Sequence, residues 1–131
     1  MEYYGIEVKT LVPTEEDEQK RLFSWARLNE GAHPELKLMF HIPNGGKRGK
    51  AEAGRFKAQG VKAGVPDIFL AVPRGEYHGL FIEMKRQQGG KATPEQRQWL
   101  QELNGRGYRA VIAKGWEAAR EEIMQYLELT C

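Results

Sequence analysis

Two continuous apolar runs, Ile68 to Val72 and Leu80 to Met84, constrain the fold of this chain more than any other feature. Each is too short for a buried helix, and Pro73-Arg74-Gly75-Glu76-Tyr77-His78-Gly79 separates them. Together they read as a hairpin of two central strands covered on both faces. Three charged residues sit where a purely structural sheet would avoid them: Asp67 opens the first strand, and Glu83 and Lys85 close the second. The two-residue alternation of a strand puts Glu83 and Lys85 on one face. If the hairpin folds symmetrically about Glu76, residue 67 lies opposite 85 and 69 opposite 83. All three side chains then converge at one end of the sheet. A slip of one residue would separate them.

The elements around the hairpin follow from local signals. A helix is expected from about Thr14, after Pro13, with acids in its first turn and a stripe of Leu22, Phe23, Trp25, Ala26 and Asn29. From Leu36 to Ile42 the residues alternate, which predicts a strand with Leu36, Leu38, Phe40 and Ile42 on its buried side. Pro43-Asn44-Gly45-Gly46 ends it, and a short helix over Lys50 to Gln59 stops at Gly60. Thr93-Pro94-Glu95-Gln96 is a helix start, with Thr93 as N-cap, Pro94 in the first position and Gln96 completing a capping box. That helix carries Trp99, Leu100 and Leu103 and ends before Gly107. A fourth strand follows over Tyr108 to Ala113, then an amphipathic helix over Trp116 to Leu127. The order αβββαβ, with an extra C-terminal helix, predicts an α/β fold of helices on a mixed sheet. The 131 residues suit one domain, 1–131, large enough to bury about two-thirds of its unfolded surface without a disulfide.

Composition excludes some classes and leaves others open. The single cysteine, Cys131, has no partner in the chain, which favours a reducing, intracellular setting. No apolar run approaches the ~20 residues of a membrane span. The acidic, mixed N-terminus does not read as a signal peptide, so a cytoplasmic protein is expected. The net charge is only +2, but six basic residues (Lys47, Arg48, Lys50, Arg55, Lys57 and Lys62) fall between Asn44 and Ala63 with Glu52 the only acid. Such a segment can attract a phosphate backbone, although it also reads as a solvated loop and helix face. His33, His41 and His78 show no zinc-site spacing, and His41 alone on a strand reads as structural. Trp25, Trp99 and Trp116 fall on apolar helix faces and read as core.

The charges on the hairpin have a chemistry of their own. Convergent oxygens of Asp67 and Glu83 suit Mg²⁺ or Mn²⁺, and the backbone carbonyl of Met84 can add a third oxygen. Lys85 is placed to orient or deprotonate a water, or to neutralise a phosphate. Alone, Glu-X-Lys recurs by chance and forms surface ion pairs. The weight lies in the combination: Pro-Asp opening one buried strand, Glu-X-Lys closing the next, and a basic segment upstream.

Pro66-Asp67, fifteen intervening residues and Glu83-Met84-Lys85 resemble the PD-(D/E)XK nuclease superfamily. The chain is more closely similar to a stand-alone VRR-NUC domain of the phage and bacterial type. His41-Ile42-Pro43-Asn44-Gly45-Gly46-Lys47-Arg48, Gly60-Val61-Lys62-Ala63-Gly64-Val65-Pro66-Asp67, Phe81-Ile82-Glu83-Met84-Lys85-Arg86 and Thr93-Pro94-Glu95-Gln96 carry that resemblance. It implies a restriction-endonuclease-like core and an Mg²⁺- or Mn²⁺-dependent endonuclease acting on branched DNA. Four-way (Holliday) junctions are the favoured substrate; a flap, fork or general DNA nuclease is the alternative. A non-catalytic DNA-binding module is the reading from another class. The resemblance also implies an acid from the first helix, Glu16 or, second, Glu18, a site contact from Gln96, and a homodimer. Asn44, Lys47, Arg48, Arg55 and Lys62 are the candidates for DNA contacts, and Gly45, Gly46, Gly60 and Gly64 for tight turns or close approach.

Overall fold

The computed structural model describes residues 12–43 and 49–130. Helix α1 (Glu15–Asn29) begins where expected. Thr14 Oγ1 accepts from Asp17 N, and the Asp17 carboxylate accepts from Thr14 N, closing a capping box. Leu22 and Ala26, one turn apart, are buried, and Phe23 and Trp25 pack beside them.

The strand expected over Leu36 to Ile42 is shorter and faces the other way. Pro34 starts a 3₁₀ helix (Pro34–Leu38), and only Met39–His41 forms strand β1. Three residues make a turn of such a helix, so Leu36 and Met39 share the inner face and both are buried. Leu38 and Phe40, assigned inward by alternation, are 53% and 49% exposed. Helix α2 (Lys50–Ala58) follows, capped by Gln59 before Gly60, and buries no residue.

Strands β2 (Ile68–Leu70) and β3 (Leu80–Lys85) form the antiparallel hairpin, and β4 (Arg109–Lys114) lies parallel to β3. The sheet runs β1-β2-β3-β4, so the hairpin is central. Its register pairs Ile68 with Ile82 and Leu70 with Leu80, centred on Gly75 instead of Glu76. Residue 69 therefore meets 81, two residues from the expected partner. One further step along the ladder brings Asp67 opposite Glu83. A two-residue shift preserves the face each side chain takes, so the expected convergence survives it.

Helix α3 (Pro94–Gly105) has the expected Thr93–Gln96 capping box and crosses over between β3 and β4. Helix α4 (Trp116–Leu127) packs beside α1. One sheet face buries Ile68, Leu70, Leu80, Ile82 and Met84 against Leu22 and Ala26 of α1 and Ala119, Ile123 and Tyr126 of α4. Burying this continuous apolar layer is the main stabilisation of the fold. The opposite face, carrying Phe69, Phe81, Glu83 and Lys85, is covered less completely than expected. Phe69 and Phe81 stack at 4.2 Å between ring centroids yet remain half-buried.

Candidate metal centre on the central strands

Asp67 is fixed by hydrogen bonds through both its backbone and its side chain. Its Oδ2 accepts from Met84 N at 2.8 Å. Its carbonyl accepts from Ile42 N at 2.6 Å and from His41 Nδ1 at 2.8 Å. The preceding Pro66 is fully buried, which anchors the entry to β2. A strand residue turns its N–H and carbonyl toward the same neighbour. Since Met84 N–H points at the Asp67 carboxylate, the Met84 carbonyl leaves β3 on that same edge.

Glu83 is 1% exposed. Gln96 Nε2 donates to its Oε2 at 3.1 Å, and Lys85 Nζ lies 3.5 Å from the same atom. Its other oxygen, Oε1, is buried without a hydrogen-bond partner. Burial, reinforced by the neighbouring Asp67 charge, raises the Glu83 pKa to about 8 despite the opposing Lys85. A protonated Glu83 can share its hydrogen with Asp67, whereas an ionised one leaves Oε1 with no donor. Gln96 thus does two things with one amide: its Oε1 completes the α3 cap on Thr93 N, and its Nε2 holds Glu83.

The first-helix acids divide sharply. Glu16 stays in solvent, its side chain 77% exposed and paired with Lys20, so the structure does not bring it to the cluster. Glu18 is fully buried. Its carboxylate accepts from Trp116 N at 3.0 Å and Gln87 Nε2 at 2.9 Å. Gly115, the N-cap of α4, has no side chain to offer, so Glu18 caps that helix from across the fold. Gly115 N in turn donates to the Lys85 carbonyl at 2.9 Å, linking this cap to the end of β3. Arg55 is exposed on α2, and Lys62 is exposed beside Trp99 of α3. Asn44, Lys47 and Arg48, with Gly45 and Gly46, lie outside the described residues.

Two features of the site were not anticipated from sequence. His41, read as structural, bonds directly to the backbone of Asp67. Its neighbour Ile42 makes a second bond to the same carbonyl, so the turn after β1 is built around Asp67. Gln87, which holds Glu18, gave no signal.

Residues 7–117 match the family model of the VRR-NUC domain. The chain belongs to the VRR-NUC family. A solved structure described as a "VRR_NUC domain protein" is 36% identical, covering 90% of this chain and 91% of that one, with a TM-score of 0.79. Comparison with curated proteins gave no match. The VRR-NUC fold seen here is α/β and restriction-endonuclease-like, a mixed four-stranded sheet flanked by helices, and the domain is of the nuclease type. Among the described residues no helix is long and apolar enough to cross a membrane.

VRR-NUC nucleases generally depend on a divalent metal, and the residues at this site fit one. Among the described residues no three His, Cys, Asp or Glu side chains cluster as metal ligands. The donors are instead two carboxylates and one carbonyl. Hard divalent ions such as Mg²⁺ are commonly held by one or two carboxylates with water completing the shell. The partnerless Glu83 Oε1 beside the Asp67 carboxylate is the observation that a cation at this position would account for.

Proposed function

We propose that the chain, as a single nuclease domain spanning 1–131, is a structure-selective endodeoxyribonuclease that hydrolyses phosphodiester bonds with Mg²⁺ or Mn²⁺. The observation that carries this reading is the meeting of Asp67, Glu83 and Lys85 on one edge of the central hairpin, with a buried carboxylate oxygen left unpaired. Asp67, Glu83 and the Met84 carbonyl would hold the ion. When bound, it supplies Lewis acidity at the phosphate and lowers the pKa of an attacking water. Lys85, 5% exposed and directed at Glu83, brings a positive charge to where negative charge develops on the phosphate. Gln96 keeps Glu83 in place, and Met84 N–H does the same for Asp67. Arg55 and Lys62, with Asn44, Lys47 and Arg48, are proposed to contact the DNA backbone.

Four-way junctions are the favoured substrate and a homodimer the favoured assembly, acting in the cytoplasm. A two-fold dimer would present two sites to the two symmetric strands of a junction. Cleavage of a labelled four-way junction, a flap and a linear duplex with Mg²⁺, Mn²⁺ or EDTA tests the reading. Paired cuts in the junction, abolished by EDTA, Glu83→Ala and Asp67→Asn, are expected, with DNA binding retained in Asp67→Asn. Preferential cutting of the flap would replace the junction reading. DNA binding without cutting in any metal would support a non-catalytic binding module instead. Mass measurement in solution decides the dimer.

A further inference from the structure

A groove of about 470 Å³ runs between α1 and β1, lined by Gln19, Lys20, Phe23, Ser24, Arg27 and His41. The five helical positions recur at three- and four-residue intervals and so form one outer face of α1. Two of them are cations, and no acid lines the groove. Lys20 is shared with Glu16 at 3.4 Å, an exposed pair that restrains the side chain weakly. Arg27 has no ion-pair partner among the described residues. Phe23 is the only apolar residue of the lining, which gives a protein partner little to bury.

His41 connects this groove to the metal-site residues. A carbonyl oxygen only accepts, so at 2.8 Å from Asp67 O the His41 Nδ1 carries the hydrogen and donates it. One ring therefore lines the groove and also holds the backbone of Asp67.

We propose that the α1–β1 groove receives the DNA backbone next to the cleaved position. Lys20 and Arg27 neutralise phosphates, Gln19 and Ser24 add neutral hydrogen bonds, and His41 fixes the groove's position relative to Asp67. None of these residues belongs to the basic segment after β1, and the choice of DNA as occupant rests on the nuclease reading. Charge complementarity with the phosphate backbone supports it, and His41 ties the wall of the groove to the backbone of Asp67.

The test is fluorescence anisotropy of a labelled four-way junction and a linear duplex with the full chain in EDTA, at several salt concentrations. Lys20→Ala/Arg27→Ala changes exposed side chains only. It is expected to weaken binding about tenfold and to reduce the slope of log K against log salt by about 2, roughly one unit for each phosphate left without its cation. Arg109→Ala, at the start of β4 and the opposite end of the sheet from Lys85, serves as the charge control and is expected to bind as wild type does. In turnover the loss falls on KM more than on kcat. Wild-type affinity and salt slope in the double variant would overturn the proposal. An equal loss in Arg109→Ala would overturn it too, because the effect would then belong to overall charge. A wild type that binds DNA but cuts none in any metal defeats the nuclease reading alone, since the affinity comparison needs no turnover.

Discussion

Glu83 shows how far a residue's surroundings can change its chemistry. Its folded pKa of about 8 lies above the ordinary glutamate value of 4.5, so the folded protein keeps a proton that the unfolded chain has released. The stabilisation from that neutral carboxyl is fully present below about pH 4.5. It is lost as pH rises through about 8. Metal-free wild type should therefore lose thermal stability between pH 5 and 8 relative to Glu83→Gln, which cannot ionise there. Parallel Tm profiles for the two proteins would contradict this. Because an ion must displace the same proton, Mg²⁺ or Mn²⁺ affinity should rise about tenfold per pH unit below pH 8, as titration calorimetry can measure. The cluster itself was legible in sequence because strand alternation places Glu83 and Lys85 together. Glu18 was legible in principle: residues 18, 22 and 26 fall on one helical stripe, which puts this acid on the core side of α1. The run of four acids concealed that spacing, since helix-dipole compensation explains all of them equally well.

Among the elements, α3 and α4 were read nearly residue for residue. Capping boxes and a glycine at a helix boundary are local signals that tertiary packing seldom overrides. Strand β1 was misread because alternation over seven residues cannot distinguish a strand from a 3₁₀ turn followed by a shorter strand. The proline at 34 decided between them. The hairpin register was displaced by two residues because a seven-residue connection does not fix its own centre. The loop before β2 makes a sharper demand. Gly64 has φ +91°, and a Cβ there would lie 2.8 Å from the backbone carbon of Glu95, the residue before Gln96. Gly64→Ala should cost more than about 2 kcal/mol, combining left-handed strain with a backbone clash, and should reduce cleavage by displacing Gln96. Gly60 has φ +101° but open space around its Cβ position. Gly60→Ala should accordingly cost only about 1 kcal/mol. Chemical denaturation of both variants checks this, and equal losses would show that the approach to Glu95 contributes nothing.

For the molecule as a whole, Glu18 joins parts far apart in sequence: α1, the start of α4 and the segment leaving β3. Glu18→Ala leaves the Trp116 N–H and the α4 N-terminus without an acceptor. A loss of about 2–4 kcal/mol is expected, seen as a Tm lower by roughly 5–15 °C. Glu18→Gln keeps an acceptor and should lose less. If Glu18→Gln melts like wild type yet cuts no DNA well below its Tm, this acid serves the chemistry and not the fold. The half-covered second sheet face was not legible, because apolar runs indicate burial without saying which helix supplies it. Glu83's retained proton also bears on what the cluster presents to an incoming phosphate. With that carboxyl neutral, the cluster offers one negative charge fewer than its two carboxylates could carry, so repulsion of an anionic backbone is lowest while the proton is held and grows as pH rises through about 8.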